Sequence, residues 1–361
     1  MISCTWSKYP PGQGIALALG QVLTGLPIVG VWISAALACA ALAWMLSRWM
    51  TPQWGLLGGL LATIHPLMLR WGYGYWGGAV AVFGGALVLG AFRRLPVSLR
   101  AFDSVIMAAG FVVLVNSRMY EGFMFAVFVF TTVNILIYRA GFSFRDWVVR
   151  FAIPALCVVF PAVVAMGYYN RAVTGNYFVP PYLVYENTYG VMPLFLWQDI
   201  RPGPNAYAGV NAERYHTGPH LNYFLAQRSV SGFLEIAFQK FFLFIRDYFL
   251  RTGLIIALLA LPFALRKEHG TPLRWLVLAF LLFCLFLASL VLEPYLFSHY
   301  AAPIFPLVIL LSLLTLQSLY ARIWFSKSTG SRLLRKVLPA AIFDFWLRRR
   351  HVSQNDSRRT T

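Results

Sequence analysis

The chain has 361 residues, of which 59% are hydrophobic, 17% aromatic and only 12% charged, about half the charged share of an ordinary soluble domain. This excludes a soluble globule, and apolar runs of about 18 residues or more recur along the chain, each long enough for a hydrocarbon core of roughly 30 Å. The net charge of +18 does not point to nucleic acid, because the Lys and Arg sit in short loops and in the tail, where membrane orientation accounts for them.

The prediction is an all-α, polytopic transmembrane helical bundle with about nine spans. The first fourteen residues, MISCTWSKYPPGQG, are polar and carry one lysine. They lack the pattern of a cleaved leader, so the first apolar helices are expected to direct insertion. The run IALALGQVLTGLPIVG that follows is interrupted by Gln21, Gly25 and Pro27 and reads as a re-entrant or interfacial N-terminal helix. Spans are expected over 29–49, 54–70, 76–93, 101–117, 120–139, 147–169, 249–265, 274–292 and 300–320.

Basic residues collect on one parity of loops: Arg48, RRLPVSLR (93–100), YRAGFSFR (138–145), RKEHGTPLR (266–274) and the tail from Arg322. The opposite loops hold little beyond Arg70 and Arg118. The positive-inside rule therefore places the N-terminus outside and the C-terminus inside, an arrangement that suggests a helix missing upstream. Residues 1–320 form one transmembrane domain that includes a polar extracytoplasmic loop over 170–235, and 321–361 form a basic cytoplasmic tail with an amphipathic stretch suited to a membrane surface. Cys4, Cys39, Cys157 and Cys284 have no CxxC spacing, so neither a disulfide framework nor a metal site is predicted.

The polar clusters fall on the outer side. In HPLMLRWGYGYWGG (65–78), Tyr75 and Trp76 read either as an aromatic belt or as a platform for a sugar ring or polyprenyl chain. NSRMYEG brings Asn116, Arg118, Tyr120 and Glu121 to one tight turn, where Arg118 either pairs with Glu121 or serves an anionic ligand such as phosphate. The Tyr-, Asn- and Pro-rich segment 177–224 reads as an ordered cap over a cleft. Its His216 and His220 have a helical metal spacing, but Gly218 and Pro219 between them argue against zinc. His299 and Tyr300, with Glu293 nearby, stand at the mouth of the last span, where HYAAPIFP is expected to loosen or kink the helix.

Together SKYPPGQG, YGYWGGAVA, NSRMYEG, FLWQ and the HYxxPxxP-like final helix resemble the GT-C membrane glycosyltransferases. The likeness is to the family 39 group, which includes protein O-mannosyltransferases and an aminoarabinose transferase. The resemblance implies a polyprenyl-phosphate-linked sugar donor, chemistry on the extracytoplasmic face of a bacterial inner membrane, membrane lipid as the other partner, no cofactor and no nucleic acid. It implies that Lys8 contacts the donor phosphate, that Arg118 is a second phosphate ligand and that Tyr300 lies near the donor. The family's general base follows a first helix that has no counterpart before SKYPPGQG, so the resemblance is to an N-terminally truncated enzyme in which Glu121 is the substitute. The other readings are a polytopic transporter and a non-catalytic membrane protein. Nearly all polar groups lie at one face rather than at mid-membrane, which favours surface chemistry over transport.

Overall fold

The computed structural model describes residues 8–203, 210–264 and 273–321. Among them the chain is helical throughout, with no strand. In hydrocarbon each backbone N–H and C=O must find its partner inside its own segment, and a helix does this.

Helix α1 (Pro11–Thr24) ends at Gly25, whose left-handed φ of 77° turns the chain back, and Pro27 opens α2 (Pro27–Trp49). Gly25 and Pro27 thus make a helical hairpin, while Gln21 is accommodated within α1. The two arms touch backbone to backbone: a Cβ on Gly30 would lie 1.8 Å from the Ala16 carbonyl oxygen. The far face of α1 is bare, with Val22 82% exposed.

The span expected over 54–70 is divided into α3 (Pro52–Ile64) and α4 (Pro66–Gly72). His65 is the joint. Pro66 denies it helical backbone, and its Nδ1 accepts from the Leu67 N–H at 3.1 Å to cap α4. Next come α5 (Gly78–Ser98), α6 (Ala101–Ser117) and α7 (Met119–Arg139), each close to its expected place. Helix α8 (Phe144–Trp147) runs through a π-turn over Val148–Ala152 into α9 (Ile153–Thr174). At the π-turn the Arg150 carbonyl accepts from the Ser104 hydroxyl of α6 at 2.8 Å.

Four short helices and turns follow: α10 (Pro181–Tyr189), α11 (Val210–Thr217), α12 (Pro219–Ala226) and the longer α13 (Val230–Tyr248). The chain continues through α14 (Ile255–Ala264) and α15 (Leu273–Leu290) to α16 (Phe305–Ala321). HYAAPIFP does not kink a running helix. A 3-10 turn at Ala302–Ile304 leads into α16, because prolines are tolerated where a first turn needs no N–H donor.

Among the described residues four helical stretches are long and apolar enough to cross a membrane: Pro27–Trp49, Gly78–Ser98, Met119–Arg139 and Phe144–Thr174. Shorter apolar helices cover Ala101–Ser117, Arg274–Leu290 and Ala302–Ser318. Among the described residues the chain is thus all-helical, with several helices apolar enough for a membrane protein. The basic tail lies outside the described residues, apart from its first position.

The core is centred on α5, whose Val82, Ala86, Leu89 and Phe92 are fully buried. Glycines let its neighbours come close: a Cβ on Gly85 would stand 2.2 Å from the Pro303 carbonyl oxygen, whereas one on Gly14 of α1 would meet nothing within 4 Å. Gly85→Ala is therefore predicted to destabilise the purified protein by about 1–3 kcal/mol through overpacking, and Gly14→Ala to be neutral or to stabilise by up to about 1 kcal/mol. Thermal unfolding in detergent compares them, and equal shifts would contradict this packing.

Candidate active site

A cavity of about 430 Å³ lies at the end of the bundle where α6 gives way to α7. Between those helices Arg118 takes extended backbone, φ −141° and ψ 94°, and its N–H donates to the Leu114 carbonyl at 2.7 Å. One residue thus reverses the chain and sets Arg118, Tyr120 and Glu121 on the cavity wall. The opposite wall comes from the 177–224 segment, through Tyr182, Glu186, Phe195, Tyr215 and His216, and from Glu293, Tyr295 and Tyr300 beyond α15.

The Arg118 guanidinium donates to the Trp76 carbonyl and lies 5.3 Å from the centre of the Tyr300 ring. Its Nε is buried and has no hydrogen-bond partner among the described residues. Such a donor is costly unless an acceptor arrives. Trp76 stacks on His299 at 5.5 Å, and His299 on Phe297 at 5.6 Å. Burial first, then Arg118 and Arg70, push His299 down to about 2, so its ring stays neutral. Tyr120 donates to the Ser289 carbonyl at 2.9 Å.

Three carboxylates share the cavity with Arg118, and Glu186 among them pairs with Lys8. Glu121 is 5% exposed and Glu293 9%. Burial, and after it the Glu121 carboxylate, push Glu293 well above the usual carboxylate range, against the pull of Arg118 and Lys240. Like charges in one dry site cannot both ionise cheaply, so the pair favours holding one proton.

Lys8 is already engaged. Its Nζ is 3.8 Å from Glu186 Oε1 and 3.9 Å from the centre of the Tyr185 ring, with the Tyr9, Tyr182 and Tyr215 rings between 5.2 and 5.9 Å. Burial lowers the Lys8 pKa and raises that of Glu186, while their mutual attraction opposes both shifts. A buried pair of this kind is costly to break from one side only.

Of the nine residues singled out in the sequence, Lys8, Arg118, Tyr120, Glu121 and Tyr300 line the cavity. Trp76 and His299 buttress it from behind. Tyr75 is 55% exposed, and Asn116 turns its amide back to the Val112 carbonyl at 2.9 Å; neither reaches the cavity wall. His216 and His220 belong to separate helices, α11 and α12, and the His216 Nε2 is 3.1 Å from the Tyr185 hydroxyl. Among the described residues no cluster of ligating side chains could hold a metal ion.

Two further buried charged residues, Glu186 and Lys240, stand beside the sequence-predicted ones. Glu186 is four positions after Tyr182 and one after Tyr185, a spacing that gathers them on one helical face. Lys240 is 3% exposed and lies four positions from Ile236 and from Phe244, both buried; a lysine on an apolar helical face was the available signal. Its Nζ donates to Gln227 Oε1 at 3.0 Å and to the Glu293 carbonyl at 2.6 Å, and Gln227 in turn donates to the Pro294 carbonyl at 3.0 Å. This knot fixes the backbone that presents Glu293.

Burial lowers Lys240 from 10.5 to about 8, against the pull of Glu293. Between those values the unfolded chain binds the additional proton, so the lysine's contribution to stability rises with pH. Wild type is predicted to gain up to about 3 kcal/mol on Lys240→Met between pH 8 and 10.5. Paired unfolding curves across that range measure it, and a pH-independent difference would contradict it. Comparison of the chain with protein-family models, curated proteins and solved structures finds no match.

Proposed function

We propose that the chain is a GT-C type membrane glycosyltransferase with about nine spans, set in a bacterial inner membrane with its cavity toward the periplasm. It moves a sugar from a polyprenyl-phosphate donor to an extracytoplasmic acceptor. The observation that carries this reading is the buried, unpartnered Nε of Arg118 in the same cavity as Glu121 and Glu293. A guanidinium with an Nε still open to an acceptor suits the donor phosphate, and a carboxylate pair holding one proton suits acid–base work. The orientation rests on the basic loops at the other end of the bundle.

In this mechanism Glu121 takes the proton of the acceptor hydroxyl as that oxygen bonds to the anomeric carbon. The bond from the anomeric carbon to the phosphate oxygen breaks, and the electron pair leaves on the polyprenyl phosphate. Arg118 receives that charge. Lys8 becomes a second ligand when it releases Glu186, and Glu293, protonated, donates a hydrogen bond to the sugar. Tyr120, Tyr182 and Tyr300 supply ring faces and hydroxyls against it. A transporter would need ionisable groups at mid-membrane, whereas here the acidic and basic groups that share a cavity stand at a helix junction.

The test supplies the liposome-embedded protein with undecaprenyl-phosphate sugars and an acceptor-containing membrane extract, and measures released undecaprenyl phosphate. Glu121→Gln is expected to lower turnover by about 10²–10⁴-fold, and Arg118→Gln to weaken binding of undecaprenyl phosphate by about 10–100-fold. No release by wild type, or release undiminished in both variants, rejects the reading.

A further inference from the structure

The end of the bundle opposite the cavity holds a second group of cations, brought together by three helices. Arg48 stands in the last turn of α2, Arg93 and Arg94 near the end of α5, and Arg274 in the first turn of α15. Arg48 is within electrostatic reach of Arg94 and Asp103, and Arg93 of Arg274. The carboxylate facing this group is Asp103, and Arg94 binds its Oδ1 at 3.2 Å. Arg48 and Arg93 have neither an ion pair nor a hydrogen bond among the described residues, and the Nε of each is buried without a partner.

Two guanidinium groups are thus partly stripped of water, repelled by their neighbours and given no acceptor. That arrangement is unfavourable by itself and calls for an anion with several oxygens. Aromatic rings shape the place for it. The Arg93 guanidinium lies 4.3 Å from the centre of the Trp275 ring and that of Arg48 5.7 Å from Trp44. Trp275 in turn packs edge-on against Trp49 at 5.8 Å. Stacking leaves the N–H edges of a guanidinium free to bind two oxygens at once. Arginine and tryptophan together at the ends of apolar helices mark the depth of lipid headgroups.

We propose that Arg48 and Arg93, beside Trp44 and Trp275, bind the phosphodiester of an anionic phospholipid between the ends of α2, α5 and α15. The acyl chains of that lipid run along the apolar helix faces toward mid-membrane. This site is independent of the glycosyl-transfer reading.

The test places wild type in nanodiscs of phosphatidylcholine with or without phosphatidylglycerol and reads Tm, then counts retained lipids by native mass spectrometry. Phosphatidylglycerol is expected to raise Tm by about 2–4 °C and to remain bound. The double variant Arg48→Gln with Arg93→Gln should lose that rise and retain the lipid at least about tenfold less well, while Arg139→Gln, exposed elsewhere on the bundle, should retain it. If the double variant does not fold, Arg93→Lys, which keeps the charge but not the fork, should show weakened retention. Equal Tm in the two lipids overturns the proposal, and so does equal loss in Arg139→Gln. Inorganic phosphate reproducing the full rise also overturns it, by assigning the arginines to a soluble anion.

Discussion

The close approach of backbones to α5 is the constraint on which the rest of this fold depends. In hydrocarbon, burying apolar surface gives helices little reason to associate, and contact distance decides. Gly84 of α5 and Gly110 of α6 each face the other's carbonyl, so a Cβ on either would come to about 3 Å of it. Gly85 meets Pro303, and Gly90 receives the Trp44 ring. The first contact draws in α6, whose far end carries Arg118. The second holds the turn before α16 against α5, and three residues earlier that turn presents Tyr300. The cation–π contact between Arg118 and Tyr300 is thus set by small residues that touch neither side chain.

The cavity inherits its electrostatics from this frame. Glu121, Glu186 and Glu293 face Lys8 and Arg118 across one wall-to-wall space, so carboxylates outnumber cations. One ion pair is closed, between Lys8 and Glu186. Arg118 is held by a neutral carbonyl, which leaves its charge uncompensated at short range. A ligand with one anionic group and several hydroxyls can satisfy Arg118 while the protonated carboxyl and the tyrosines serve the rest.

Much of the helical plan was legible because long apolar runs bounded by charge have few alternatives. The bounds of α6 and α7 show this, as does Arg118, whose charge stood out on a side poor in charge. The division at His65 was hidden inside an apolar run, and only the proline after it spoke for a break. HYAAPIFP was read as a kink because the sequence could not show that a helix starts there. Tyr75 and Asn116 do not line the cavity, because a turn's composition does not fix which way each side chain points. Glu186 and Lys240 leave a signal in the local helical pattern, but their partners, Lys8 and the Glu293 backbone, lie far away in sequence and only the tertiary fold brings them near.

The π-turn at Val148–Ala152 acts as a one-residue insertion in a helix of 31 residues. Adding a residue advances every later side chain by about 100° around the axis. Within the turn Phe151 is buried, with Trp147 and Phe130 at about 6 Å; after it, Leu156, Phe160, Val163 and Tyr168 are all exposed. A single helix thereby turns one buried ring toward α7 and a row of apolar side chains outward, the surface that a membrane-embedded helix offers to lipid.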